Sequence, residues 1–117
     1  MMNTETINYL ELPANDLKST KAFFANCFEW KFTDYGPDYV AYNAQGFDGG
    51  FYQAPLASTT ASGGCLIVLY SQNLDASLEK VKSHGGKIVK DIFEFPGGKR
   101  FHFEEPSGNE FAIWSDK

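Results

Sequence analysis

The order of secondary-structure signals repeats once along this chain, and the repeat limits the fold more than any single motif does. A strand pattern over 7–12 leads into a helix pattern over 16–28, and strand patterns follow at 30–35, 39–43 and 47–53. The same order returns as a strand over 65–70, a helix over 74–84 and strands over 87–95, 100–104 and 110–115. The first helix gathers Leu17, Phe24 and Phe28 on one apolar face, with Phe23 and Cys27 beside them and Asn15 or Asp16 as its N-cap. The second has Leu74, Leu78 and Val81 as its stripe and Asn73 as its cap. Gly85-Gly86 ends it through the left-handed conformation that glycine tolerates. Turn residues at Gly36-Pro37-Asp38, Gly46 and Pro96-Gly97-Gly98 separate the strands. The pattern predicts an α+β fold of two βαβββ modules, a curved and mostly antiparallel sheet around a cleft, with the helices on the convex face.

At 117 residues the chain is one compact domain. Module one covers about 5–54, a linker about 55–63, and module two about 64–116. The linker is small, polar and without periodicity, so it reads as a mobile crossover loop. Aromatic residues make up 16% of the chain, enough that some rings either line a cavity or complete the core and an interface. A net charge of -5 argues against nucleic acid and anionic membranes, which need a basic field, and mildly favours cationic ligands. No apolar run is long enough to cross a bilayer, and no secretory segment opens the chain. Cys27 and Cys65 lack a C-x-x-C spacing and read as reduced thiols, with the cytoplasm as the expected compartment. Phosphate-loop, dinucleotide-fingerprint, nucleophile-elbow and zinc-finger motifs are all missing from the sequence.

Near the C-terminus, Glu104-Glu105-Pro106-Ser107-Gly108-Asn109-Glu110-Phe111-Ala112-Ile113-Trp114 reads as a β-hairpin with a Pro-Ser-Gly-Asn turn. This hairpin resembles the closing one of the vicinal oxygen chelate superfamily, which includes glyoxalases, bleomycin-resistance proteins and extradiol dioxygenases. Glu11-Leu12-Pro13-Ala14-Asn15-Asp16 running into Phe23-Phe24, the Cys27-Phe28-Glu29-Trp30 exit and the Gly85-Gly86 helix end add to the likeness, which is strongest to the bacterial glyoxalase-related subgroup. The resemblance implies a small-molecule ligand, a homodimer and, in the metal enzymes, one ligand from each of four strands. Carried over by strand position, those sites are Tyr9, Gly50, Cys65 and Ala112. Gly50 and Ala112 have no ligating side chain, so the expectation is a chain without a metal or other cofactor.

Strand parity sorts the remaining candidates, because alternate residues face opposite sides. It places Tyr9 and Glu11, Gly50 and Tyr52, and Ala112 and Trp114 on the cleft side. Alignment of the two modules adds Cys65, Ile67 and Leu69. With the hairpin turn centred on Ser107, His102 lies opposite Ala112 and faces the cleft, with Arg100 near Trp114. The expected ligand-binding set is Tyr9, Glu11, Tyr52, Cys65, Ile67, His102 and Trp114, with Phe47 as a further ring. Glu11 and His102 are the candidate catalytic pair. Glu11 can equally be a structural carboxylate paired with Arg100 or a backbone amide, Cys65 a small hydrophobe, and His102 a surface residue if the register slips. Two readings follow. One is a metal-independent binding protein whose acidic, aromatic cleft suits a cationic aromatic ligand. The other is a lyase, isomerase or dioxygenase-type enzyme that uses a non-standard metal site or the Glu11/His102 pair for acid–base chemistry.

Overall fold

The computed structural model describes residues 2–117. Module one runs β1 (Tyr9–Ala14), α1 (Leu17–Phe28), β2 (Lys31–Asp34), β3 (Tyr39–Asn43) and β4 (Asp48–Gln53). Module two runs β5 (Ile67–Tyr70), α2 (Leu74–Ser83), β6 (Lys87–Phe95), β7 (Gly98–Glu104) and β8 (Glu110–Ser115). The expected βαβββ order is present twice. Each module folds into a four-stranded sheet, ordered β1-β4-β3-β2 and β5-β8-β7-β6. In both, the last strand slots in beside the first and parallel to it. A parallel neighbour needs a crossover, and the helix supplies it. Among the described residues, no helix is long and apolar enough to cross a membrane.

The helices start and stop by the same local chemistry. Asp16 caps α1 by accepting from the Ser19 amide at 3.1 Å, and Asn73 caps α2 by accepting from the Ala76 amide at 3.1 Å. Glu29 ends α1 in the left-handed region at φ 62°, and its amide donates to the Ala25 carbonyl at 3.1 Å. At the matching point after α2, Gly85 takes φ 96°, a conformation that costs glycine nothing.

Phe24 of α1 is fully buried and touches both modules. Its ring lies 5.5 Å from Phe51 of β4 and 5.1 Å from Phe111 of β8, and it stacks on Trp30 at 4.4 Å. Phe23 reaches Phe103 of β7 at 5.8 Å. One helix thus serves the core of both sheets, and about half of the chain's rings fill or flank that core.

The turn after β7 locks the arrangement. Glu105 is 2% exposed, and its carboxyl meets the Thr20 hydroxyl of α1 at 3.0 Å and the Ser107 amide. The Ser107 hydroxyl bonds Thr20 at 2.7 Å and accepts from the Asp16 amide at 3.1 Å. Asn109 donates to the Pro13 carbonyl at 2.7 Å. The Glu-Pro-Ser-Gly-Asn turn is therefore a buried clamp between module two and the start of α1. The same residue docks the linker: Asn109 Oδ1 accepts from the Ser58 amide at 2.8 Å, and the Glu110 amide donates to the Ser58 carbonyl at 2.8 Å. The segment expected to be a mobile loop is instead tied to β8, because a buried carboxamide must find partners for both its ends.

Burial pushes the Glu105 carboxyl up to about 7, against hydrogen bonds from Ser107, Thr20 and Asn109 that pull it down. Its folded value lies above the unfolded 4.5, so the fold holds this proton more tightly than the unfolded chain does. The resulting stability is complete below the unfolded value and is lost as pH rises through the folded one, at most on the order of 3 kcal/mol. Thermal melts between about pH 5 and about pH 8 are expected to show the wild type losing stability, with the loss flattened in Glu105→Gln. Equal slopes in the two proteins would exclude Glu105 as the titrating group.

Candidate functional site

On the open face of the first sheet, register places the expected residues together. Glu11 lies opposite Gly50, and Leu12 lies opposite Phe51 on the packed side. Tyr39 pairs with Tyr52, and Ala41 with Gly50. Tyr9, Glu11, Gly50 and Tyr52 therefore share the open face. The Tyr39 ring crosses Gly50 so closely that a β-carbon there would come within 2.0 Å of its hydroxyl. That hydroxyl lies 2.6 Å from the Tyr9 hydroxyl and donates to Glu11 Oε2 at 2.8 Å. Burial and these two bonds hold the Tyr39 phenol well above its ordinary value, so it stays protonated as a donor. The partner of Glu11 is thus a tyrosine, neither Arg100 nor a backbone amide.

On the second sheet the hairpin register agrees with the sequence reading: Phe103 opposes Phe111, His102 opposes Ala112 and Arg100 opposes Trp114. His102 is 3% exposed and faces the open side. Its Nδ1 sits 2.9 Å from Glu110 Oε2, while Glu110 Oε1 accepts from the Thr60 amide and hydroxyl, each at 2.9 Å. Burial pulls Glu110 upward, but the bonds from His102 and Thr60 outweigh it and hold the carboxyl below its usual value. The expected pairing of Glu11 with His102 is replaced by two separate pairs, Glu11 with Tyr39 and His102 with Glu110. Sequence reasoning passed over Glu110, although it shares the strand parity of Ala112 and Trp114.

Strand β5 lies one residue out of step with the expected alignment of the modules. Ile67 pairs with Phe111 and Val68 with Ala112. Val68 and Tyr70 therefore face the open side, whereas Ile67 and Leu69 pack toward the core. By the same register Val68 is the counterpart of Glu11, and Leu66, two residues earlier, is the counterpart of Tyr9. Cys65 has the wrong parity, precedes the strand, and is an exposed free thiol. Cys27 is buried in the core, which pushes its thiol up to about 11.

The candidate residues line separate cavities. Glu11, Tyr52, Cys65 and Ile67 meet Leu56 and Ser58 around one of about 590 Å³ beneath the linker. Tyr9 borders another of about 430 Å³ with Lys31, Thr33 and Asp48. Phe47 closes a third of about 350 Å³ between the two modules, with Leu10, Trp30 and Ile67. Trp114 lines a fourth of about 330 Å³ with Val68, Phe95, Gly97 and Arg100. Its ring lies 5.2 Å from that of Tyr70. Trp114 thus sits beside an arginine and in a different cavity from Glu11, which separates the two groups expected to hold a cationic ligand.

The four strand positions that would hold a metal are Tyr9, Gly50, Leu66 and Ala112, and three of them offer no donor atom. The Tyr39 ring also occupies the space in front of Gly50. No group of three His, Cys, Asp or Glu side chains suited to a metal occurs among the described residues. The side chains present do not fit the family's metal.

Solved structures share this architecture. A glyoxalase-related enzyme from Fulvimarina pelagi superposes with a TM-score of 0.79 at 15% identity, over 95% of this chain and 88% of that one. The fosfomycin resistance protein FosX from Listeria monocytogenes gives 0.79 at 18% identity, over 98% and 94%. Lactoylglutathione lyase from Agrobacterium tumefaciens gives 0.74 at 14% identity, over 97% and 95%. At such identities the likeness is one of fold. No curated protein matches the chain. The sequence model of one family matches residues 6–113, nearly the whole repeat. With the duplicated βαβββ fold, that match shows that the chain belongs to the Glyoxalase/Bleomycin resistance protein/Dioxygenase superfamily.

Proposed function

We propose that this chain is a small-molecule-binding member of its family that works without a metal. The observation that carries the reading is the Tyr39 ring over Gly50, with its hydroxyl bonded to Glu11. A phenol shared between Tyr9 and Glu11 replaces an open coordination position, and Leu66 and Ala112 supply nothing in its place. A labile divalent ion needs several imidazole or carboxylate donors around one point, and these positions do not provide them. The aromatic and aliphatic walls of the cavities suit an organic ligand held by contact area and oriented by a few polar groups.

The His102–Glu110 pair favours a second reading, an acid–base enzyme. A carboxylate that orients one imidazole nitrogen leaves the other free for proton transfer, and His102 Nε2 is buried without a partner. Solvent-proton exchange into a bound carbon acid, abolished in both His102→Gln and Glu110→Gln while binding persists, would move the conclusion to that reading.

A homodimer belongs to both readings. Its support is that Glu11 and Tyr52 line one cavity while Trp114 lines another within a single chain. The exposed Tyr52, Leu56, Val68 and Tyr70 also leave apolar surface to be covered. Light scattering behind size-exclusion chromatography is expected to return twice the chain mass, and a monomer at every concentration tried would exclude the dimer.

Thermal melts of EDTA-treated protein against Mn, Fe(II), Co, Ni and Zn test the main reading. A ligand that prefers the folded state raises the melting temperature by mass action. No metal is expected to do so. A saturable rise with one metal, lost in Glu110→Gln or His102→Ala, would replace the metal-free reading.

A further inference from the structure

The chain has a single arginine, Arg100, and it lies on the open face of the second sheet. Its guanidinium sits 5.6 Å from the Phe93 ring centre and 5.7 Å from that of Phe95. Its Nε is buried without a hydrogen-bond partner, and Arg100 belongs to none of the ion pairs among the described residues. In a chain of net charge -5, an unpaired arginine is notable because carboxylates are plentiful. Among the described residues no nearby carboxylate pairs with it, Asp91 of β6 included, which accepts only from the Ile92 amide. Glu110 is held by His102 and Thr60, and Asp116 accepts from the Tyr70 hydroxyl. Glu94 lies opposite Lys99, on the other face of the ladder, and Glu104 lies opposite Lys87, at the far end of β7.

A second cation adds to the local field. Lys90 Nζ lies 5.9 Å from the same Phe93 ring, and it too forms none of those ion pairs. Two positive groups sharing one ring repel each other, and the ring's attraction for each offsets only part of the cost of their desolvation. A buried guanidinium nitrogen with no acceptor is the costly half of an unmade hydrogen bond. Stacking against the rings also pre-orients the planar fork, whose remaining donors match the two oxygens of a carboxylate. Beside it lies the cavity of about 330 Å³, walled by Trp114, Phe95 and Val68. Positive charge at one end and flat apolar walls along the rest define a ligand chemistry.

We propose that this pocket takes a small organic anion, a carboxylate on a flat apolar body, with Arg100 as its charge anchor and Trp114 and Phe95 as its walls. The inference rests on the metal-free binding reading and specifies its ligand class. It reverses the charge preference expected from composition, because the local field of Arg100 and Lys90 outweighs the distant net charge at contact range.

Calorimetric titration of EDTA-treated protein with 2-naphthoate, 2-naphthamide and 2-naphthylmethylamine tests it. Saturable binding of the carboxylate is expected, with the amide weaker by about tenfold or more and the amine not bound, as the loss of a charge-assisted hydrogen bond predicts. Arg100→Gln should lose about tenfold or more in naphthoate affinity, and Arg100→Lys should lose less. The indole N–H resonance of Trp114, identified by its absence in Trp114→Phe, should shift with naphthoate in wild type and stay in place in Arg100→Gln. That readout, with an unchanged circular dichroism spectrum, separates loss of the anchor from loss of the fold. Equal affinity for the three probes, or naphthoate binding untouched in Arg100→Gln, would overturn the proposal. A neutral or cationic probe that binds the metal-free protein and is lost in Tyr52→Ala would overturn it while leaving the metal-free reading in place. Naphthoate binding that appears only on adding a divalent metal would overturn both.

Discussion

The buried carboxyl of Glu105 is the contact on which the rest of this molecule depends. Two modules that each form a four-stranded sheet share no strand pairing among the described residues. Their union rests on the Phe23–Phe24 ridge of α1 and on the polar clamp of Thr20, Glu105, Ser107 and Asn109. Ring packing is non-directional and tolerates sliding, whereas a buried hydrogen-bond network accepts one arrangement. The clamp therefore sets the register of one module on the other, and a neutral Glu105 suits its dry position better than a charged one.

The clamp also reaches the functional face. Asn109 holds Ser58, so the linker lies over the first residues of β8, where Thr60 can bond Glu110. Glu110 in turn holds His102. A turn motif that identifies the family by sequence is thus, in this chain, the structural root of the histidine–glutamate pair. Its side chains face the module junction, and through Ser58 and Pro13, Asn109 reaches the wall of the cavity beneath the linker.

The two open faces have diverged in chemistry. On the first sheet an exposed carboxylate is tied into a phenol relay, with Tyr39 filling the space left by a glycine. On the second, an arginine and a lysine share an aromatic neighbour, and among the described residues no carboxylate pairs with either. Gly50 and Ala112, which carry no ligating side chain, lie on the open faces, so what stands there leaves the packed core undisturbed. Fold and chemistry are separable here for that reason.

Much of the fold was legible in the sequence. Periodicity, caps at Asp16 and Asn73, and glycine at 85 mark both helices, and the hairpin turn places His102 opposite Ala112. These are local rules, set by hydrogen bonds and dihedral preferences within a few residues. Parity was legible too where a turn anchored the count, as in β8. It failed in β5, where the preceding linker gives no anchor and a shift of one residue turns every side chain over. Partnerships were out of reach, because they join residues distant in the chain: Tyr39 with Glu11, Glu110 with Thr60, Arg100 with Phe93 across the β6–β7 ladder. Sequence alone determined that this chain folds as a duplicated βαβββ unit lacking side chains to ligate a metal at two strand positions. Only the tertiary structure decided which carboxylate meets which donor, and so where charge is left unpaired, because that depends on distances set by packing rather than on any local preference.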